Sequence, residues 1–218
     1  YPDEDLVDYL IRTVEVNNNN LHNIKCSLTI VVKENCELPI GLHPMINIPD
    51  EKNKIKIKPG NFQFGLTYPG VVLPGKTLGA IGKEFSSIEE IPGFKDQVID
   101  ISQPPFDGNY EDLFQLCGID GTMVIENYLD NYSFKMNWDQ KHFSSVLMWL
   151  SNKGREEYPW NSEHVTFGLE PITSTFGLST HMSNNPKNPI NVRGVKTTMQ
   201  FTKDEEWKTE YSFSIKEI

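Results

Sequence analysis

The sequence has no apolar run of the roughly 18 residues that a membrane-spanning helix needs. Cysteine is scarce: Cys26, Cys36 and Cys117 are an odd number, and no two stand in C-x-x-C spacing. That excludes a disulfide framework and a zinc ribbon, and the three read as small apolar residues in a reducing compartment, with the cytoplasm as the expected location. Positive charge is also short, 20 Lys and Arg against 30 Asp and Glu, for a formal net charge of −10. Neither a nucleic acid nor an anionic membrane surface suits such a balance, because both call for a basic stripe. A neutral small molecule is the easier partner. The opening Tyr1-Pro2-Asp3-Glu4-Asp5 has neither the basic nor the apolar segment of a signal peptide and no initiator Met, as expected of numbering that starts inside a longer chain.

What the chain does have is a globular composition, 38% apolar over 218 residues. No repeat or composition break divides it, so residues 1–218 read as a single domain. Turn signals recur at Pro59-Gly60, Pro69-Gly70, Pro74-Gly75, Pro92-Gly93, Pro104-Pro105, Asp107-Gly108, Gly154 and Asn184 to Pro189. The four asparagines 17–20 read as a polar hairpin connection. Between turns, apolar residues alternate: Trp207, Thr209, Tyr211, Phe213 and Ile215 on one side of a strand, Ile55 and Ile57 on another. Further strands are expected at 24–32, 62–68, 122–128, 131–138, 145–150, 164–170 and 195–201. One helix is predicted over 110–117, because Tyr110, Leu113, Phe114 and Cys117 fall at i, i+3, i+4, i+7 behind caps at Asp107 or Asn109. Many strands and almost no helix indicate a β-sandwich or barrel.

Two segments bear chemistry. In Leu38-Pro39-Ile40-Gly41-Leu42-His43-Pro44 a histidine is held between apolar residues and a rigid proline; it is either a core histidine bound to a carbonyl or a general acid. Glu170 ends the apolar run Val165-Thr166-Phe167-Gly168-Leu169, where a carboxylate must be paired or keep a raised pKa. It is either half of a buried ion pair, with Arg155 or Arg193, or a catalytic base. Trp138, Trp149, Tyr158, Trp160 and Phe176 lie near these segments. They fill a core or stack on sugar rings, and Trp160, between Pro159 and Asn161, is the best candidate for a ligand-facing ring. His22, His142 and His181 read as surface residues.

These pieces resemble the aldose 1-epimerase (galactose mutarotase-like) family. Members carry a Tyr-Pro-Gly segment, two strands, and a histidine followed by an aromatic-asparagine turn; here stand Tyr1-Pro2-Asp3, strands 6–16 and 24–32, and Leu42-His43-Pro44-Met45-Ile46-Asn47. A Gly-x-Asp segment matches Gly118-Ile119-Asp120. The strand ending in Leu-Glu-x matches Phe167-Gly168-Leu169-Glu170-Pro171, followed by Asn184-Asn185-Pro186 and two last strands. The Thr-Asn before the histidine, the Tyr-Phe-Asn after it and the His-Pro after the aspartate are replaced. Members also place an Arg and a second His, both contacting sugar, on strands ahead of the Tyr-Pro segment. The resemblance therefore implies either a chain that continues upstream or a cleft open on one side.

It further implies an all-β fold, a large antiparallel super-sandwich lacking its N-terminal strands, and an isomerase that opens and recloses a hexose hemiacetal. Glu170 would be the base and His43 the acid, facing each other across a groove about one sugar ring wide. Arg155, Trp160, Asp120, His164 and Asn161 would bind the carbohydrate, with His164 a second-choice acid, and no metal or cofactor is called for. A sugar phosphate would need Arg155, Lys153 and Arg193 to converge. The rival readings are a non-catalytic carbohydrate-binding module on the same sandwich and a structural domain.

Overall fold

A computed structural model describes residues 5–17 and 20–218. In chain order the strands are β1 (Val7–Asn17), β2 (Asn20–Val32), β3 (Cys36–Leu38), β4 (Ile40–Gly41), β5 (Met45–Asn47) and β6 (Ile55–Pro59). Then come β7 (Phe64–Thr67), β8 (Glu84–Phe85), β9 (Ile91–Pro92), β10 (Val98–Ile99), β11 (Tyr110–Cys117) and β12 (Thr122–Asn127). The last are β13 (Tyr132–Trp138), β14 (Ser145–Asn152), β15 (Val165–Thr173), β16 (Met199–Phe201) and β17 (Trp207–Glu217). One short helix, α1 (Thr180–Asn184), is capped by the Ser179 hydroxyl, which accepts the Met182 N–H. The chain is nearly all antiparallel β, as the sequence leads one to expect. No helix among the described residues is long and apolar enough to cross a membrane.

Two sheets pack face to face. One runs β1-β2-β17-β13-β12-β6; the other runs β4-β15-β14-β11-β7-β8, with β5 on the same edge of β15 as β4. Two strands of the first alternate as their sequences do: Met123, Ile125 and Asn127 of β12 are buried between half-buried neighbours, and Ile55 and Ile57 of β6 point inward. Strands of the second are buried on both sides, every residue of β15 and all but Trp149 of β14. Their inner face supplies Phe114, Leu116, Met148, Leu150, Phe167 and Leu169 to a core shared with Met123, Ile125, Met136 and Ile57 of the opposite sheet. Burying each such side chain stabilises the fold by about 1.5–3 kcal/mol.

The helix predicted over 110–117 is instead β11, the strand between β14 and β7. Both faces of β11 are covered, so its apolar residues need not alternate, and their helical spacing is coincidence. The predicted strand 195–201 shortens to β16. Val195 and Thr197 are buried because residues 174–198 lie over the outer face of the second sheet. This flap is fixed by Gln115, whose side chain donates to Ser174 O at 2.9 Å and accepts the Phe176 N–H at 2.7 Å. It covers Cys117, Leu147 and Ile172, beside the end of that face that carries Glu111, Ser151 and Thr166. Asn18, Asn19 and the Tyr1-Pro2-Asp3 segment lie outside the described residues; β1 and β2, on either side of the asparagines, do pair as a hairpin. Of the histidines read as surface residues, His142 is half-buried, its ring 4.8 Å from that of Trp207.

Candidate active site

On a strand, every second residue shares a face. The registers Glu111–Ser151–Thr166, Leu113–Trp149–Gly168 and Gln115–Leu147–Glu170 therefore bring these side chains together on the outer face of β11, β14 and β15. The flap covers the Gln115–Leu147 end. The other end carries a polar cluster built on Glu111 and Ser151.

Glu170, in register with Leu147, meets His43 where β4 and β5 line the edge of β15. Residues 42–44 bridge from β4 to β5 along the edge of β15, and two backbone hydrogen bonds tie this bridge down: Leu42 N to Pro171 O at 2.9 Å and Leu169 N to Pro44 O at 3.0 Å. These bonds bracket Glu170, so His43 is held directly over it, with Nε2 3.4 Å from Oε1. The pair is in contact, not one sugar ring apart as expected. The carboxylate side chain is 9% exposed and the imidazole 61%, so one is buried while the other faces solvent. Burial pushes the Glu170 carboxyl above its ordinary pKa, and the neighbouring imidazole partly offsets this. Gly168 makes the room: a Cβ there would lie 2.5 Å from Glu170 Oε1 and 2.9 Å from Trp149 Cβ. His43 also borders a cavity of about 460 Å³, whose other walls include Leu10, Arg12, Val14 and Tyr211.

Glu170 pairs with neither Arg155 nor Arg193. The partner of Arg155 is Glu111, a residue that sequence reasoning missed. Glu111 is 1% exposed, and its carboxylate accepts from Trp149 Nε1 at 2.6 Å, Arg155 Nε at 2.9 Å and the Ser151 hydroxyl at 2.9 Å. The Arg155 guanidinium also lies 4.9 Å from the Trp149 ring and 4.8 Å from the Trp160 ring, within cation–π range of both. Trp149 sits at the centre of the cluster. The ring of His43 is 6.0 Å from it and that of His164 6.3 Å, and His164 Nδ1 is 3.1 Å from Ser151 Oγ.

The other expected ligand groups fare differently. Trp160 is half-buried on the turn after Arg155, facing that guanidinium. Asn161 shapes the same turn: it is in the left-handed region (φ 48°) and its amide donates to Pro159 O at 3.4 Å. Asp120 stands at the β11–β12 turn, where its carboxylate accepts the Asn61 backbone N–H at 2.9 Å and the Asn61 amide at 3.1 Å. No contact joins it to the His43–Glu170 pair. Arg193 lies over the Phe64 ring and pairs with Glu84, and Lys153 pairs with Asp50, so the three bases a phosphate group would need are not gathered. No group of three His, Cys, Asp or Glu side chains among the described residues is placed to hold a metal ion.

Among solved structures, a candidate aldose 1-epimerase from Escherichia coli K12 superposes with a TM-score of 0.61 at 14% identity, over 91% of this chain and 57% of that one. The chain has the galactose mutarotase-like fold. Another candidate aldose 1-epimerase, from Klebsiella pneumoniae, gives 0.59 at 9% identity over 94% of this chain and 46% of its own. A galactose mutarotase-like protein from Clostridium acetobutylicum gives 0.53 at 14% identity over 96% and 62%. The chain thus spans less than two-thirds of the length of these proteins. No protein-family model and no curated sequence matches it.

Proposed function

We propose that this chain carries the proton-transfer site of an aldose 1-epimerase-like enzyme, which interconverts the α and β anomers of a hexose or a related sugar. The supporting observation is the contact of His43 with Glu170 beside the Trp149 ring. A hemiacetal opens when a base takes the proton of the anomeric hydroxyl, the bond from C1 to the ring oxygen breaks, and an acid protonates that oxygen. One carbon bears both oxygens, so an acid and a base only 3.4 Å apart suit the task better than groups on opposite sides of the ring. Glu170, made more basic by burial, takes the first proton, and His43 delivers the second. Rotation about C1–C2 and the reverse transfers close the ring on its other face and restore both groups. Each positioned group contributes about 10²–10⁴-fold. Trp149 offers an indole edge to the sugar, and the terminal nitrogens of Arg155 offer donors to its hydroxyls.

Polarimetry or proton NMR of freshly dissolved α-D-glucose and α-D-galactose tests this. Equilibration faster than buffer, lost in Glu170→Gln with the fold intact, supports the proposal. Rates equal to buffer for both sugars would reject it. A sugar-dependent change in tryptophan fluorescence at those rates would then favour the carbohydrate-binding module.

A further inference from the structure

The Glu111 cluster also fixes the chemistry of His164. Trp149 Nε1 and Arg155 Nε can only donate, and both do so to Glu111 Oε1. The Ser151 hydroxyl has a single proton and donates it to Oε2. What remains on Ser151 Oγ is lone pairs, so His164 Nδ1, 3.1 Å away, must carry the proton in their hydrogen bond. A neutral imidazole has one proton, and with Nδ1 holding it, Nε2 is bare. Nε2 makes no hydrogen bond among the described residues, and the half-buried ring lies beside Trp149.

We propose that Glu111 and Ser151 are positioning residues that lock His164 in the Nδ1–H tautomer, so that Nε2 is an obligate acceptor for a hydroxyl of the bound sugar. The lock stands on the geometry alone; the sugar contact rests on the function proposed above. Such an acceptor gives specificity, because an analogue lacking the hydroxyl leaves the nitrogen without that partner. It also differs in kind from His43, which meets a carboxylate directly.

Glu111→Gln tests the lock without removing an atom from the chain of hydrogen bonds. Two donors converge on Oε1, so the amide oxygen takes that place and the NH₂ takes the place of Oε2, facing Ser151. Ser151 then accepts from the amide and turns its own proton toward His164 Nδ1, which must give up its hydrogen. The expected result, read by imidazole ¹⁵N–¹H correlation NMR of the 218-residue chain, is Nδ1–H in the native protein and Nε2–H in Glu111→Gln. Ser151→Ala, which breaks the relay, should leave the tautomer unlocked and the thermal unfolding transition cooperative. Finding Nε2–H in the native protein, or the same tautomer in native and Glu111→Gln, overturns the proposal. If the native chain accelerates anomer exchange, Glu111→Gln should slow it about 10-fold, the loss of one hydrogen bond to the sugar. If it does not accelerate exchange, the enzymatic reading fails while the tautomer result still decides the lock.

Discussion

Replacing Asp112 by Asn removes a charge from the inner face of β11, where the side chain is 1% exposed. Its Oδ2 accepts the N–H groups of Leu78 and Gly79 at 2.8 and 2.7 Å, and its Oδ1 accepts that of Leu113 at 2.8 Å. Burial outweighs these bonds and pushes the carboxyl up from 3.8 to about 6, with the neighbouring Glu111 adding to the rise. The native state therefore holds this proton more tightly than the unfolded chain. The stabilising contribution is complete below the unfolded value and is lost as pH rises through about 6. The interval corresponds to about 3 kcal/mol at 1.36 kcal/mol per pH unit. Asparagine has no such proton to lose. Its carbonyl can keep Leu78 and Gly79 while its NH₂ forfeits Leu113, at a cost of about 1 kcal/mol. Wild type should thus be the more stable by about 1 kcal/mol near pH 3, an advantage already shrinking by pH 4, and the variant by about 2 kcal/mol near pH 7. Urea unfolding of both proteins at several pH values measures the difference, in which all shared titrations cancel. A difference that stays constant from about pH 4 to pH 7 would refute the reasoning.

Other expectations concern the site. Because the Glu170 carboxyl is raised by burial, the ascending limb of kcat/KM against pH should lie above the ordinary carboxylate range; a limb within that range would assign the base elsewhere. Gly168→Ala places a methyl 2.5 Å from Glu170 Oε1 and 2.9 Å from Trp149 Cβ, so anomer exchange should fall by about 10-fold or more and the overpacking should cost about 1–3 kcal/mol; a fully active, fully stable variant would contradict the crowding. Arg155→Met leaves the buried Glu111 without its cation. Full removal of a partner from a buried pair costs about 3–5 kcal/mol, and solvent at the half-exposed guanidinium reduces this to about 2 kcal/mol, visible in thermal denaturation as a loss of several degrees. Phe114→Ala should cost about 3–5 kcal/mol by opening a cavity between the sheets; a much smaller loss in chemical denaturation would mean the core there is loosely packed.

The fold was legible wherever one sheet face meets solvent. In β6, β12 and the first half of β17 alternation in the sequence is alternation in burial; past Tyr211 it lapses, and Ile215, expected inward, is exposed. It was illegible in β11, where both faces are covered and the period disappears. The same error concealed Glu111. On a helix, adjacent acids such as Glu111 and Asp112 share a solvated side; on a strand they point to opposite faces, and here both are buried. Glu170 stood out because a carboxylate among apolar residues needs a partner, although the sequence could not say that the partner was His43 and not an arginine. Arg155 and Trp160 were found together because their contact is local. Asp120 was singled out by the Gly-x-Asp match, and its pairing with Asn61, 59 residues away, was not legible in the sequence.

The two backbone bonds beside His43 have a mechanical result. The histidine loop is fastened to the very strand that bears the glutamate, so a shear or twist of the sheet carries both side chains along as passengers. Thermal motion that would blur a donor and acceptor mounted on separate walls here leaves their spacing nearly untouched, and the pairing persists until β15 itself peels away.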